Sequence, residues 1–445
     1  MAFSQPFDDT FRREVEVITQ DSTLSDNALH SDAERYLQVL AHPSFGDIDQ
    51  PAWVRRIQRF STRLLITYTS SKLFDALYHT ADELGLVTGK RYVSATICVC
   101  ASGAENVATS PEDRPRRLAE ALSQLASAWM AYMLWPFFVD GAKSAEEVLT
   151  RLPQISEGMA SQGCNGRRLV VKEDLLKRCG YVCFMSGYLY SYAPLEFFQG
   201  PEIQTISYLQ VTHIVRPPCA MREHGMRDDD EVITSDILKH YCNGPICADI
   251  VEATEGETYW QARNSLVMAP DSCSTFHRFR WCLHPGQVAN QYHVKIHERN
   301  WFGAQYAASP SPVTFENHSH EYTSPSDTPP SAASPSSSCE NAPPTHAHGG
   351  LQRSIDLPCA ELLRVHAALA GAMQLSGALK LFETISDVCE LVDEGWLPGA
   401  SGSTFLQSVV AYEGREVCSD VEMRGMRVRV VRAMVDESDS DSDWD

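Results

Sequence analysis

A histidine, an asparagine and a cysteine–histidine pair are the residues of this chain whose order and spacing suit a hydrolytic reaction. His213 ends the apolar stretch LQVTH, Asn264 opens NSLVMAP, and Cys273 and His277 follow Asn264 by nine and thirteen residues. Four positions apart on a helix, Cys273 and His277 share one face. Hydrolysis of a phosphodiester asks for a base that takes a proton from water and a divalent cation that offsets charge on the phosphoryl and leaving oxygens. His213 is the candidate general base. Asn264 is the group that orients the base or holds its loop, and Cys273 with His277 are the candidate metal ligands. A thiol–imidazole pair suits Zn²⁺, whereas Mg²⁺ and Mn²⁺ prefer oxygen. Three outcomes stay open: a softer metal, weak Mg²⁺ binding through His277 alone, or loss of catalysis. Each residue also has a plainer reading, His213 as a structural strand histidine, Asn264 as a turn residue, Cys273 as a small buried side chain and His277 as an exposed helix position.

The elements that must position these groups are legible around them. LLKRCGYVCFMSG reads as a short helix over 172–178, a turn at Gly180 and a strand over 181–185. LQVTHIVRPP reads as a second strand, stopped by Pro217 and Pro218. After an acidic insertion over 219–260, SLVM is a brief apolar segment, a helix is expected from about Pro270 to Phe279, and QYHVKIHE alternates like a strand.

In this order the segments resemble the HNH endonuclease-like domains common in fungal, basidiomycete-type proteins. LLKRCGYVCFMSG is similar to the family's opening L-x-x-R-D-x-Y-x-C motif, LQVTHIVRPP to its AHIIP segment, and RNSLVMAPDSCSTFHRFRWCLHP to its Asn-to-His close. LASAWMAYMLWPF upstream and LPCAELLRVHAALAGAMQLSGA downstream resemble flanks of such proteins. The resemblance implies a ββα-metal core, nucleic acid as substrate and a divalent metal (Zn²⁺, Mg²⁺ or Mn²⁺) as cofactor. It gives His213 the role of base and Asn264 that of the central asparagine. It also exposes departures. Cys273 stands where the family has its final metal-binding histidine, Cys179 replaces the aspartate of the Arg–Asp pair, and Thr212 precedes the catalytic histidine where many members carry Asp or His. A catalytically inactive scaffold for protein or nucleic-acid contacts is the alternative.

Around this core the expected fold class is α+β, an HNH-like ββα core with a mostly helical N-terminal region and a C-terminal helical segment. Residues 1–30 are polar and expected to be disordered, and 31–160 mostly helical, with apolar spacing across Ala52–Leu84 broken by Gly85 and Gly89, a β-like stretch at Arg91–Ala101, and a second helix over Arg114–Phe138. The HNH-like domain spans 161–317, and a Ser/Pro/His-rich linker spans 318–352. A C-terminal segment (353–435) carries helices, with Pro358 at a first turn, and then the basic strand VEMRGMRVRVVRAM. An acidic tail (436–445) closes the sequence and is a candidate surface for a protein partner.

The net charge of −21 argues against a simple nucleic-acid binder, although acids and bases nearly balance between 162 and 300. The most apolar run, 126–139, is shorter than a membrane span and contains Pro136, so a buried helix and no membrane partner are expected. The 14 scattered cysteines and the polar first residues point to reduced thiols and an intracellular protein of the nucleus or cytoplasm.

Overall fold

The structure, a computed structural model, describes residues 6–60, 66–108, 110–138, 172–198, 205–215, 228–243, 262–298, 312–322 and 355–393. The first helices are α1 (Asp9–Gln20), α2 (Asp26–Leu37), α3 (Gly46–Asp49), α4 (Ala52–Phe60), α5 (Ser70–Leu84), α6 (Val87–Val107) and α7 (Arg114–Trp129), the last continued by a π turn at Met130–Leu134. Side-chain caps set several of the starts. Asp8 accepts from Phe11 N, Ser25 from Ala28 N and Thr69 from Lys72 N. Gly85, at φ 65°, ends α5 in the left-handed conformation that glycine takes without a Cβ penalty.

Three expectations for this half are corrected. Residues 1–30 are not disordered where described: α1 and α2 fold onto the core, with Phe11, Val15 and Leu29 buried. Arg91 is the clasp, its guanidinium donating to the carbonyls of Ile18, Thr19, Asp21 and Leu24 and pairing with Asp26. The β-like stretch Arg91–Ala101 is the middle of α6. Buried on most sides, α6 offers no amphipathic period, and the cost of its β-branched residues, at most about 0.7 kcal/mol each, is smaller than what burial returns. Gly89 sits inside this helix rather than breaking it, and Ala52–Leu84 divides into α4 and α5.

The second half interleaves helices with three small sheets. A helical turn, α8, covers 172–178. Strand β1 (Leu189–Tyr190) pairs parallel with β2 (Ile206–Ser207), and β3 (Gln210–His213) pairs antiparallel with β4 (Ser265–Met268). Strands β5 (Trp281–Pro285), β6 (Gln291–Ile296) and β7 (Val313–Thr314) form an antiparallel sheet. Between them run α9 (Asp228–Cys242) and α10 (Pro270–His277), and α11 (Ala360–Ser376) and α12 (Ala378–Asp393) follow. The fold is thus a mixed, mainly helical α+β architecture. Among the described residues no helix is long and apolar enough to cross a membrane.

Here too the sequence reading needs correction. Residues 181–185 form turns with one bridge, Val182 to Leu189, instead of a strand. The acidic insertion contributes a core element: α9 buries Ile237, Leu238 and Tyr241, and the Tyr241 hydroxyl donates to Leu77 O at 2.7 Å. The first linker residues, Ser319–Tyr322, form a 3₁₀ turn that packs Tyr322 against Tyr181 and Phe197. Pro358 precedes the cap of α11, Cys359, rather than lying in the first turn. The rest of the linker, the basic strand and the acidic tail lie outside the described residues.

Helix α11 is the hub, packing against both α5 and β5. The crossing with α5 is close: a Cβ added at Gly371 would lie 2.7 Å from Thr80 Oγ1 and 2.9 Å from its Cγ2. Gly371→Ala is therefore expected to destabilise the chain by about 1–3 kcal/mol in denaturant titrations, and Thr80→Ala in the same chain to recover most of that loss.

Candidate functional site

Strands β3 and β4 and helix α10 follow one another as strand, strand and helix, with His213 at the end of β3, Asn264 in the 3₁₀ turn directly before β4, and Cys273 and His277 on α10. The register places His213 opposite Ser265 and Thr212 opposite Leu266. Two residues beyond β4, Pro270 starts α10 in the first turn, where its missing N–H costs nothing.

Asn264 acts on the backbone. Its Oδ1 accepts from Val215 N at 3.0 Å and its Nδ2 donates to Val215 O at 2.8 Å, while its own carbonyl accepts from Ile214 N at 2.9 Å. The side chain thereby extends the β3–β4 ladder past its last rung and fixes the chain just after His213. Loop anchoring, one of the two roles expected for this asparagine, is what the geometry displays. The His213 side chain is held in a residue only 7% exposed.

Cys273 and His277 do lie one turn apart on α10, with Cys273 Sγ 3.9 Å from His277 Nδ1. The other ring nitrogen, Nε2, is in a short hydrogen bond with the Thr212 hydroxyl. Thr212, Cys273 and His277 therefore meet at the strand–helix junction, and both imidazole nitrogens of His277 face protein groups. The cavity beside this junction has a volume of about 20 Å³, room for about one water, and is lined by Ile214, Val215, His277, Phe279 and His366 among others. The donor set does not fit Mg²⁺ or Mn²⁺, which want several oxygens. Nor is there a third soft ligand, since among the described residues no group of three or more His, Cys, Asp or Glu is disposed to hold a metal.

Two residues that the sequence reading passed over organise the surroundings. Arg178 is 3% exposed and donates to three carbonyls, Ala262 O at 2.7 Å, Ser265 O at 2.7 Å and Asp356 O at 2.8 Å. Burial lowers its pKa to about 10, so it stays charged at neutral pH, offset by those carbonyl dipoles. The cue was available in LLKRCGY, an arginine on an otherwise apolar helix face. His366, from α11, stacks on Phe276 with centroids 3.7 Å apart and planes 8° apart, and hydrogen-bonds Phe276 O at 3.2 Å. Nothing in its local sequence marks it, because its partner lies 90 residues away. Beside this layer Arg280 is paired with Glu298 and Glu383, joining β5, β6 and α12.

Comparison with family models, curated proteins and solved structures finds no match for the chain.

Two expectations follow from this packing. Asn264→Ala strands both polar groups of Val215 and should cost about 2–4 kcal/mol in chemical denaturation, and Asn264→Asp, which sets a buried carboxylate oxygen against Val215 O, should cost at least as much at pH 7. Burial also depresses two histidines, His297 to about 4 and His366 to about 3. Both are neutral when folded, and the unfolded chain takes up their protons first as pH falls below 6.5. Stability is thus complete above pH 6.5 and falls towards pH 4, by up to roughly 1.4 kcal/mol per pH unit for each ring. His366→Phe should flatten that slope in denaturation curves measured between pH 7 and pH 4, and an unchanged slope would refute the assignment.

Proposed function

We propose that the unit built from β3, β4 and α10 is an HNH-type ββα element whose metal-binding half has become structural, so that the chain is a nuclease-derived scaffold rather than a nuclease. The observation that carries this reading is the engagement of His277. The imidazole that would face a cation is instead bonded to Thr212 on one side and set against Cys273 on the other. A His213 only 7% exposed supports it further, since a general base needs water within reach. Such a scaffold presents its surface to partners, and a net charge of −21 favours protein over nucleic acid among them.

The hydrolase reading keeps one specific support, the strand–strand–helix order with Asn264 tying the chain directly after His213. Incubating purified full-length protein with supercoiled plasmid and with RNA, in Mg²⁺, Mn²⁺ or Zn²⁺, separates the two. The expected result is no nicking above buffer for wild type and His213→Ala alike. Metal-dependent nicking that disappears in His213→Ala would overturn the scaffold reading and establish the hydrolase.

A further inference from the structure

A second candidate site lies in elements that the ββα unit does not use. A cleft of about 340 Å³ opens between α1, α6 and α9, lined by Asp9, Arg12 and Glu16 from α1, Tyr92 from α6, and Asp236 and His240 from α9. That volume is at the small end of the roughly 300–1,000 Å³ typical of small-molecule sites. Tyr92 is 3% exposed, edge-on to Trp129 at 5.8 Å and stacked with the His240 ring at 5.1 Å and 18°. His240 Nε2 is in turn 3.3 Å from Asp236 Oδ1. Burial raises the Tyr92 phenol well above its usual range, the Asp236 carboxylate raises it further, and the Arg12 guanidinium opposes them. Tyr92, His240 and Asp236 are thus joined side by side along one wall of the cleft. Convergent groups of this kind in a cleft mark a binding site more often than a merely solvated groove.

The lining also limits what binds. Arg13 joins Arg12 at the cleft, so two guanidinium groups face three carboxylates. One of these, Asp9, already pairs with Arg12 Nη2 at 2.5 Å and leaves the other nitrogens of Arg12 for a ligand. Three carboxylates disfavour a polyphosphate or a nucleic-acid strand, and a simple cation would leave the guanidinium groups without a partner from the ligand. A molecule with both signs satisfies both sets, and an aromatic ring on it extends the Tyr92–His240 stack. We propose that this cleft binds a small zwitterion carrying an aromatic ring, an aromatic amino acid or a dipeptide ending in one, with its carboxylate towards Arg12 and its ammonium towards Asp236 and Glu16.

Calorimetric titration of the full-length chain tests this with L-phenylalanine and glycyl-phenylalanine as probes, and with 3-phenylpropionate and phenethylamine as analogues that each lack one charge. At least one zwitterion should bind at millimolar concentration or below, with each single-charge analogue weaker by about tenfold or more. Arg12→Gln and Asp236→Asn should each weaken zwitterion binding by about tenfold as well, with circular dichroism and the unfolding midpoint confirming that both variants fold. Asp236 is the safeguard should Arg12→Gln fail to fold. Absence of binding by both zwitterions, equal binding by the single-charge analogues, or unchanged affinity in a folded variant would overturn the proposal. None of these outcomes bears on plasmid nicking.

Discussion

One buried cation, Arg178, ties together separate segments of the second half of this fold. Arg178 gives its N–H groups to the carbonyls of Ala262, Ser265 and Asp356, which lie 84, 87 and 178 residues from it in sequence. A guanidinium has five donors in a rigid plane, so it can collect carbonyls that no secondary structure pairs. Its own carbonyl accepts from His318 N, which brings in the segment after β7 as well. Without that charge the turn before β4, the start of β4 and the approach to α11 would each bury an acceptor lacking a donor.

The polar residues around α10 are likewise engaged with backbone and with one another. Asn264 serves the backbone of Val215, Thr212 serves His277, and His366 pads the far side of α10 by stacking on Phe276 and Phe279. These contacts are worth the same to stability whether or not a cation is ever bound. The layer is closed by Arg280 between two carboxylates. Burial raises the Glu383 carboxyl, and Arg280 pulls it back.

What the sequence disclosed follows the range of the forces involved. Local rules found β3, α10, β6 and the α11–α12 pair, because proline stops, period-two alternation and helical spacing are written within ten or so residues, whereas SLVM was legible only as a brief apolar segment and not as β4. They failed wherever distant burial outweighed local preference. Val93, Thr96, Ile97 and Val99 look like strand residues until α1, α2, α5, α7 and α9 surround them. The charged α1 looks unstructured until Arg91 gathers the carbonyls at its end. The stretch after RDDDE looks like an insertion because its acids hide the buried face of Ile237, Leu238 and Tyr241. At the site, residue identities and their order were legible, but their partners were not. Thr212 and His277 are 65 residues apart, and no spacing rule reaches that far.

The long excursion between the two paired strands has an entropic meaning. β3 and β4 pair although α9 lies between them in sequence, and α9 docks against α6 in the helical half. Closing so wide a loop costs entropy before the ladder gives anything back, and the cost grows with the logarithm of its length. Docking of α9 on α6 shortens the effective loop that the β3–β4 ladder has to close, so the seating of that helix and the pairing of the two strands support each other.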